Sequence, residues 1–284
     1  MNKIIKPSWL KVKFHSGPLF EKVSGTLRKL NLNTVCDSAA CPNKGECWGL
    51  LGTATFMIMG NICTRNCLFC KVNNGTPFPL DKDEPFHIAE AVYLLKLRYT
   101  VLTSVTRDDL PDGGAEHFAR TVKEIKKKNP NAKVEVLVPD FKGSTESINK
   151  VAEFNPDVFS HNIETVENLT KKLRSSARYE RSLNILSYAG SIGKHWRVKS
   201  SIIIGLGETM KDINKVLNDL LKTGVSIVHI GQYLQPSKTN VPVIKYYTPE
   251  EFEDIKKCAE NLGFSSVLSG PLVRSSYHAE ISSS

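Results

Sequence analysis

The segment ATFMIMGNICTRNCLFC, residues 54–70, joins a strand pattern to three closely spaced cysteines. Residues 54–59 are mostly apolar and rich in residues that favour strands, so they predict a buried strand that ends just before the cysteines. Cys63, Cys67 and Cys70 follow with the spacing C-x3-C-x2-C. Because functional groups gather at the carboxyl ends of strands in α/β barrels, the segment predicts a site directly beyond this strand.

A second group of three cysteines precedes this segment. Cys36, Cys41 and Cys47 have the spacing C-x4-C-x5-C, and only one of the seven cysteines lies outside residues 36–70. The chain begins without a secretory pattern, and intracellular thiols are kept reduced, which favours metal binding over disulfides. Structural zinc usually takes four ligands in C-x2-C pairs, whereas a [4Fe–4S] cluster held by three cysteines keeps one iron for another ligand. The spacing favours iron–sulfur clusters, with zinc as the alternative and a disulfide framework as the third possibility.

Strand-like and helix-like patterns alternate along the rest of the chain. Six successive strand–helix repeats predict a parallel sheet, which periodicity alone allows to be either a curled barrel or a flat doubly wound sheet. The run from Asn73 to Pro85 predicts a long loop, and the first fifty residues predict an irregular extension. The predicted strands are residues 54–59, 100–105, 133–138, 158–163, 198–204, 227–230 and 266–268. The predicted helices are residues 87–97, 115–128, 144–154, 181–191, 209–223 and 249–262.

Length and composition indicate one domain with a large core. The chain has 284 residues and 40% hydrophobic content, and it has no apolar run near the roughly 20 residues that span a bilayer. We therefore expect a cytoplasmic protein, with an organellar protein whose leader has been removed as the alternative. The net charge of +9 permits nucleic-acid binding, but the basic residues are scattered apart from Lys126–Lys128. That run lies at a predicted helix end, where the helix dipole favours cations.

Residues 63–70 resemble the cluster loop of the radical S-adenosylmethionine (SAM) superfamily, including the aromatic Phe69 before the last cysteine. The resemblance implies that Cys63, Cys67 and Cys70 are catalytic and hold a [4Fe–4S] cluster whose open iron is chelated by SAM. The reduced cluster then cleaves SAM and releases a 5′-deoxyadenosyl radical. The fold implied is α/β, a partial (β/α)6 TIM-like barrel.

Two further motifs narrow the resemblance to the lipoyl synthase family: the first cysteine triplet, and Arg-Ser-Ser-Tyr at residues 274–277. They imply that Cys36, Cys41, Cys47 and Ser276 hold a second [4Fe–4S] cluster, with Ser275 as the alternative to Ser276. The activity implied is a sulfurtransferase that inserts two sulfur atoms at C6 and C8 of an octanoyl chain on a carrier-protein lysine. The second cluster would be the sulfur donor.

The same resemblance implies a division into three parts. Residues 1–50 form an extension with the ligands of the second cluster, and residues 51–270 form the radical SAM barrel. Residues 271–284 form a tail that caps the active site.

Further residues at strand ends are candidates to contact SAM. Asp112-Gly-Gly114 would bind its amino group, or would simply be a turn that opens the next helix. Asn162 and Glu164, at the end of the fourth predicted strand, would bind ribose hydroxyls; the alternative is a helix cap at Glu164-Thr165. The cofactor-binding residues predicted in full are Phe69, Gly113, Gly114, Asn162, Glu164, Arg178, Lys199, Gln232, Leu234 and Gln235.

Several of these predictions have plainer alternatives. Arg178 and Lys199 could neutralise a carboxylate, although a lone basic residue is usually at the surface. The segment QYLQPS, residues 232–237, resembles a family segment near adenine and substrate, whereas Tyr233 could equally serve packing. The segment GLGE, residues 205–208, lacks the third glycine of a dinucleotide fingerprint, and the resemblance places it along the SAM pocket. Cys258 is expected to be a buried structural residue.

The resemblance also implies partners. These are octanoylated lipoyl carrier proteins (lipoyl domains of 2-oxoacid dehydrogenases and the H protein of glycine cleavage), a low-potential electron donor such as ferredoxin or flavodoxin, and an iron–sulfur carrier protein. No nucleic acid and no membrane are expected. Two other readings remain open: another two-cluster radical SAM enzyme, such as a methylthiotransferase acting on tRNA, and a non-enzymatic zinc or iron protein that binds nucleic acid.

Overall fold

The computed structural model describes residues 5–174, 176–193 and 195–282, so the ends of the predicted extension 1–50 and tail 271–284 lie outside the described residues. The helices are α1 (Pro18–Lys29), α2 (Val35–Ser38), α3 (Lys44–Gly49), α4 (Glu84–Leu95), α5 (Ala115–Lys128), α6 (Thr145–Ala152), α7 (Glu167–Leu173), α8 (Tyr179–Ile192), α9 (Met210–Lys222), α10 (Pro249–Leu262) and α11 (Ala279–Ser282). The strands are β1 (Thr55–Ile58), β2 (Ile62–Cys63), β3 (Asn73–Asn74), β4 (Tyr99–Ser104), β5 (Lys133–Leu137), β6 (Val158–Ser160), β7 (Arg197–Ile204), β8 (Ile227–Gln232) and β9 (Ser266–Gly270). Short 3-10 turns cover Ser8–Leu10 and Phe141–Gly143.

The chain divides into two compact units. The first unit comprises Val12–Asn66 and Lys71–Phe159. The second unit comprises Met1–Lys11, Cys67–Cys70 and Ser160–Ser284. The division passes through the second cysteine triplet, because residue 63 belongs to the first unit and residues 67 and 70 belong to the second.

The first unit contains a parallel ladder in which β4 lies between β1 and β5. Thr55 pairs with Val101, and Tyr99 pairs with Lys133. All four residues of β1 are buried, as expected for a parallel strand that is covered on both faces. Helix α5 is amphipathic and contacts both α4 and α6, so these helices cover the apolar strands.

The second unit contains another parallel ladder, in which β8 lies between β7 and β9. Lys199 pairs with Ile227, and Ile227 pairs with Ser266. Helices α9 and α10 each begin with a capping box, in which a threonine and an acidic residue satisfy each other's backbone N–H groups. Their apolar faces join Ile202, Ile230 and neighbouring residues in one core.

The seven predicted strands and six predicted helices are all present, with bounds that differ by a few residues. The fourth strand is shorter than predicted and ends at Ser160. Asn162 and Glu164 therefore follow the strand instead of ending it, and Glu164 has a left-handed φ of 67° that breaks a regular strand. No helix in the described part of the chain is both long and apolar enough to cross a membrane.

The prediction of an irregular extension was wrong for much of residues 1–50. Pro18 sits in the first turn of α1, where its missing N–H costs nothing, and the helix buries Val23 and Leu27. The Thr34 side chain accepts a hydrogen bond from the backbone N–H of Asp37 and so caps α2. Two cysteines of the first triplet therefore lie on short helices.

Three smaller predictions also need correction. The predicted loop from Asn73 to Pro85 begins with β3 and already ends in α4. Helix α7 begins at Glu167, so Glu164-Thr165 is not a helix cap. Cys258 is half-buried rather than buried, because its position on α10 leaves the thiol at the surface, where it donates to Asn214 Oδ1 at 3.3 Å.

Candidate active site

Cys63 ends the short strand β2 in the first unit and is half-buried. Its sulfur accepts hydrogen bonds from the backbone N–H groups of Arg65 and Thr106, each at 3.4 Å. Such donors stabilise a thiolate, and hydrogen bonds to the ligand sulfurs are among the features that set the potential of an iron–sulfur cluster. The surroundings of Cys63 therefore suit a cluster ligand.

Arg65 links the same loop to two carboxylates of the first unit. Its guanidinium donates to both Asp108 oxygens at 2.7 and 2.9 Å, and to Asp140 Oδ1 at 2.7 Å. Burial opposes the charge of Arg65, but the hydrogen bonds to Asp108 and Asp140 outweigh this effect and raise its pKa. Asp108 and Asp140 lie beyond the carboxyl ends of β4 and β5. None of these three residues was predicted from the sequence, although polar residues just after predicted strands are a usable signal.

Cys67 and Cys70 lie in the part of the loop that belongs to the second unit. Asn240 donates through Nδ2 to the carbonyl oxygens of Leu68 and Cys70, at 3.1 and 2.9 Å. The predicted residue Gln235 is exposed and donates to the carbonyl oxygen of Asn240 at 2.7 Å. The loop after β8 thus holds the backbone around Cys70 through Asn240, a role that was not predicted from the sequence.

The aromatic residue of the cysteine loop packs into a small apolar cluster of the second unit. Phe69 is partly buried against Leu206, Tyr233 and their neighbours. The structure thereby brings together the cysteine loop and parts of the GLGE and QYLQPS segments, all of which were predicted to line the SAM pocket. The predicted residue Leu234 is half-buried beside Tyr233 in sequence.

Gln232 is used inside the second unit. Its side chain is fully buried, and its Nε2 lies 3.0–3.1 Å from the carbonyl oxygens of Ile204, Tyr233 and Lys245. Its Oε1 accepts the backbone N–H of Tyr247 at 2.9 Å. The side chain therefore ties three segments of backbone together, and its predicted contact with a cofactor stays a prediction.

Gly113 and Gly114 both have left-handed φ angles, of 64° and 90°, and Gly114 is the residue before α5. A Cβ atom on Gly114 would lie 2.2 Å from the sulfur of Met59, and one on Gly113 would lie 2.9 Å from the Phe141 ring. Both positions therefore require glycine. The segment leads into α5, as the alternative interpretation predicted, and it also packs closely against Met59, which precedes the Cys63 loop.

Met59 is held from two sides in the first unit. Its backbone N–H donates to Glu84 Oε2 at 2.8 Å, and the same oxygen lies 2.6 Å from His117 Nε2. Its carbonyl oxygen accepts from Arg107 Nη1 at 3.4 Å. Since Met59 has a left-handed φ of 68°, these contacts stabilise a backbone conformation that methionine otherwise avoids.

The first triplet lies entirely in the first unit. Cys36 is buried in α2, Cys47 lies on α3, and the N–H of Cys41 donates to the carbonyl oxygen of Cys36 at 3.0 Å. Burial, and next the charge of the neighbouring Cys41, raise the pKa of Cys36 to about 11. A bound cation would relieve both effects, because it stabilises thiolates. The thiol pair therefore fits a metal centre.

None of the seven cysteines, all of which lie within the described residues, forms a disulfide. Across residues 5–174, 176–193 and 195–282, no three or more His, Cys, Asp or Glu side chains are grouped closely enough to hold a metal ion as they stand. The two complete ligand sets, each with three cysteines, therefore stay predictions.

Asn162 and Glu164 contact each other in the second unit, with Asn162 Nδ2 at 3.1 Å from Glu164 Oε1. Burial raises the pKa of Glu164, and the charge of Arg174 opposes this shift. Among the described residues, the buried Oδ1 atom of Asn162 has no hydrogen-bond partner. A buried acceptor without a partner costs stability, so a ligand hydroxyl that donates to it would be favourable.

The two predicted basic residues have different surroundings. Arg178 is exposed and immediately precedes α8. Lys199 is 1% exposed on β7. Burial first, and then the charge of Lys199, lower the pKa of His229 to about 3, so the imidazole is neutral at neutral pH. Lys199 is therefore an interior residue, not a surface residue.

The carboxy-terminal segment docks on β8 within the second unit. The neutral His229 donates from Nδ1 to the carbonyl oxygen of Arg274 at 3.0 Å. A Cβ atom on Gly231 would lie 2.1 Å from the carbonyl oxygen of Val273, so only glycine lets this segment approach. Ser276 follows, half-buried, in the turn closed by the N–H of Tyr277 and the carbonyl oxygen of Arg274 at 3.0 Å.

Solved structures of other proteins share the fold of this chain. A methylornithine synthase matches with a TM-score of 0.56 and 16% identity, over 75% of this chain and 69% of that chain. The FeFe-hydrogenase maturase HydG from Carboxydothermus hydrogenoformans matches with a TM-score of 0.58 and 14% identity, over 76% of this chain and 59% of that chain. With the parallel ladders, these matches confirm the predicted α/β class and are consistent with a partial TIM-like barrel.

Two family profiles match the sequence: that of the Radical SAM superfamily over residues 57–220, and that of the N-terminal domain of lipoyl synthase over residues 2–41. A mitochondrial lipoyl synthase from Nematostella vectensis is 51% identical over 275 residues, which cover 97% of this chain and 94% of that protein. Lipoyl synthases from Caldicellulosiruptor bescii and Bacteroides thetaiotaomicron are 51% and 48% identical, over 99% and 98% of this chain and 96% and 98% of their own lengths. This chain belongs to the lipoyl synthase family of the radical SAM superfamily.

Proposed function

We propose that this chain inserts sulfur at C6 and C8 of an octanoyl group that is bound to a lysine of a lipoyl carrier protein. Family membership makes it a radical SAM sulfurtransferase that uses SAM and two [4Fe–4S] clusters. The observation that carries the proposal is identity of about half of all residues along nearly the whole chain. The tRNA-modifying and non-enzymatic alternatives are not favoured by these matches.

The substrate explains why such cofactors are needed. C6 and C8 of an octanoyl chain are unactivated alkyl carbons, and no side-chain base is strong enough to deprotonate them. When bound, SAM and its reduced cluster supply a 5′-deoxyadenosyl radical that removes hydrogen atoms, and the second cluster supplies the sulfur. The side chains of this protein therefore have to bind the cofactors and the octanoyl chain, orient them, and shield the radical from solvent.

Cys63, Cys67 and Cys70 would hold the cluster that reduces SAM. The observation that supports this role for Cys63 is the pair of backbone N–H groups that point at its sulfur. Asn240 would keep the Cys70 end of the loop in place through its bonds to two carbonyl oxygens. The chain's part is to fix three thiolates on a loop whose backbone is held by hydrogen bonds.

Two features of the chain suit SAM itself. The buried and partnerless Oδ1 of Asn162 could accept a hydrogen bond from a ribose hydroxyl. Gly113 and Gly114 provide a backbone without side chains beside Met59, where a SAM amino group could approach carbonyl oxygens. Phe69, Glu164, Arg178, Lys199, Gln232, Leu234 and Gln235 complete the proposed set of contacts.

Cys36, Cys41, Cys47 and Ser276 would hold the second cluster. The raised pKa of Cys36 beside Cys41 supports this assignment, since metal binding is what makes two neighbouring thiolates stable in a buried place. A serine oxygen is a harder ligand than a thiolate and is released from iron more easily, which suits a cluster that is consumed. Ser276 is preferred to Ser275 on the family motif.

The remaining partners follow from charge and chemistry. A net charge of +9 would steer acidic lipoyl domains and H protein toward the enzyme. A low-potential donor such as ferredoxin or flavodoxin would reduce the cluster, and an iron–sulfur carrier protein would restore the consumed one. We place the enzyme in the cytoplasm.

Anaerobic reconstitution tests the proposed function. The reconstituted chain should hold about eight irons, that is four per cluster. With dithionite, SAM and an octanoylated lipoyl domain, it should yield 5′-deoxyadenosine and a lipoylated product detected by mass spectrometry. Four irons would leave the first triplet unexplained, and zinc without labile sulfide would refute the assignment.

A further inference from the structure

The loop that contains Cys63 is hydrogen-bonded to residues 106–108 at several successive residues. The N–H of Thr64 donates to the carbonyl oxygen of Thr106 at 3.0 Å, and the hydroxyl of Thr64 accepts from the N–H of Asp108 at 3.0 Å. The N–H of Thr106 in turn donates to the sulfur of Cys63. Residues 63–65 and 106–108 are therefore two loop segments that are joined to each other by hydrogen bonds.

Arg65 is the last residue of the segment 63–65, and its side chain binds Asp108, the last residue of the segment 106–108. We propose that Arg65, anchored by Asp108 and Asp140, is a positioning residue that keeps two backbone N–H donors aimed at the Cys63 thiolate. This inference rests on the proposed function, because it assigns Cys63 to the cluster that reduces SAM. Arg65, Asp108 and Asp140 would thus act on the cluster through the backbone of the loop, without touching the cluster.

The two anchors are rigid. The side chain of Asp140 has no exposed surface, and its Oδ1 also accepts the backbone N–H of Lys142 at 3.1 Å. Asp108 is 23% exposed at its side chain and is fixed through its own N–H to Thr64. Because both follow parallel strands of the first unit, Arg65 connects the cysteine loop to the ends of β4 and β5.

Only an arginine can make these contacts at once. The guanidinium donates in parallel to both oxygens of Asp108 and turns a third N–H to Asp140. A lysine has the same charge, but its ammonium group is compact and cannot donate two parallel hydrogen bonds to both oxygens of Asp108. Arg65→Lys therefore keeps the charge balance of this buried group but releases the geometry of the loop.

The expected consequence concerns the cluster potential. Hydrogen bonds to cluster sulfurs stabilise the reduced, more negative state and so raise the potential. If the loop moves, Thr106 and Arg65 no longer hold their N–H groups at 3.4 Å from Cys63. The cluster of the Arg65→Lys variant should then be harder to reduce, and SAM cleavage should slow.

Arg107 offers a matched control in the same part of the first unit. It is 2% exposed, pairs with Asp109 at 2.7 Å and donates to the carbonyl oxygen of Met59. Arg107→Lys therefore disturbs an arginine that is also buried, but whose hydrogen bonds go to Asp109 and to Met59 instead. A general loosening of the fold would affect both variants alike.

The experiment compares the full chain with Arg65→Lys and with Arg107→Lys. In the metal-free proteins, hydrogen–deuterium exchange is followed in peptides that cover residues 63–66 and 106–108. After reconstitution, the cluster potential is measured by redox titration monitored by electron paramagnetic resonance, and 5′-deoxyadenosine formation gives kcat and KM for SAM. For Arg65→Lys we expect roughly tenfold faster exchange in these peptides, a more negative potential, and a lower kcat with little change in KM. Arg107→Lys should match the parent chain in exchange at 63–66 and in potential.

Equal exchange and equal potential in the two variants would overturn the proposal. Should Arg65→Lys not fold, Asp108→Asn removes one partly exposed anchor while keeping its shape, and it should shift both readouts in the same direction by less. An unshifted Asp108→Asn variant would likewise overturn the proposal. Failure of the proposed function is distinguishable, because the parent chain itself would then lack iron or 5′-deoxyadenosine.

Discussion

The two cysteine triplets are supported in different ways. The sulfur of Cys63 accepts two backbone N–H groups and lies on a loop fastened by Arg65 to two buried or half-buried carboxylates. Cys36, by contrast, is buried beside Cys41, and its pKa of about 11 keeps it protonated without metal. Two backbone N–H groups thus point at the sulfur of Cys63, whereas a thiolate at Cys36 depends on a bound metal. This difference suits one cluster that is kept and one that is consumed.

The largest expected effect separates the two triplets by function. Cys63→Ala removes a ligand of the proposed reducing cluster, so 5′-deoxyadenosine formation should fall to background. Cys41→Ala should retain formation of 5′-deoxyadenosine and lose the lipoylated product. Both products are measured by mass spectrometry in the same anaerobic reaction, with iron falling from about eight to about four per chain in each variant.

Cys258→Ala is the control for these two variants, since this thiol is half-buried on α10 and donates to Asn214. It should keep both products and the full iron content. If Cys41→Ala still formed the lipoylated product, the first triplet would not hold the sulfur donor, and the contrast between the triplets would lose its functional meaning.

The positions of both triplets and of the main strands follow from local patterns, because apolar periodicity and cysteine spacing are properties of neighbouring residues. The network around Arg65 is not local. Its partners Asp108 and Asp140 lie 43 and 75 residues further along the chain, so no spacing in the sequence connects them. Asn240 lies 170 residues from Cys70 for the same reason.

The misjudged extension has a different cause. Helices α2 and α3 span only four and six residues, too short for a helical period to stand out from a single sequence. Helix α1 did carry signals, with Pro18 at its start and buried Val23 and Leu27 four residues apart.

The pH dependence of stability should report the protonated state of Cys36. Its pKa is raised from 9.0 to about 11, first by burial, so the folded chain holds this proton to higher pH than the unfolded chain does. The resulting stabilisation is complete below pH 9 and is lost as the pH rises towards 11, by about 2–3 kcal/mol in total. Urea unfolding of the metal-free chain and of Cys36→Ala at pH 8 and pH 10.5 measures it.

The difference in unfolding free energy between these two proteins should narrow by roughly 2 kcal/mol over that interval. Groups that do not interact with Cys36 titrate equally in both proteins, so their effects cancel in the difference. A difference that stays constant with pH would mean that Cys36 ionises as an ordinary thiol, and the contrast with Cys63 would disappear.

Two glycine substitutions compare how tightly the chain packs beside Met59, which leads into the Cys63 loop, and in α1, near the first triplet. Gly114→Ala places a Cβ 2.2 Å from the Met59 sulfur at a φ of 90°, so it should destabilise the fold by about 1–3 kcal/mol. Gly25→Ala, in the middle of α1 near the first triplet, meets nothing within 4 Å and should stabilise by about 0.5–1 kcal/mol. Urea midpoints of both variants decide between these signs. Two equal midpoints would show that Met59 yields freely, and that the residue leading into the Cys63 loop is not rigidly held.

The smallest expected effect concerns the Cys70 end of the loop. Asn240→Ala removes two hydrogen bonds to the carbonyl oxygens of Leu68 and Cys70, so it should cost about 1 kcal/mol and speed amide exchange in residues 67–70. Thr239→Ala is the matched control, because this exposed threonine contacts the hydroxyl of Ser237 and should change stability by less than about 0.5 kcal/mol. Urea unfolding and hydrogen exchange of the metal-free variants measure both effects.

Since loss of Asn240 leaves the N–H donors of Cys63 in place, exchange at 106–108 should remain that of the parent chain. Faster exchange there would mean that the two ends of the loop move together, and that the second triplet is supported as one piece.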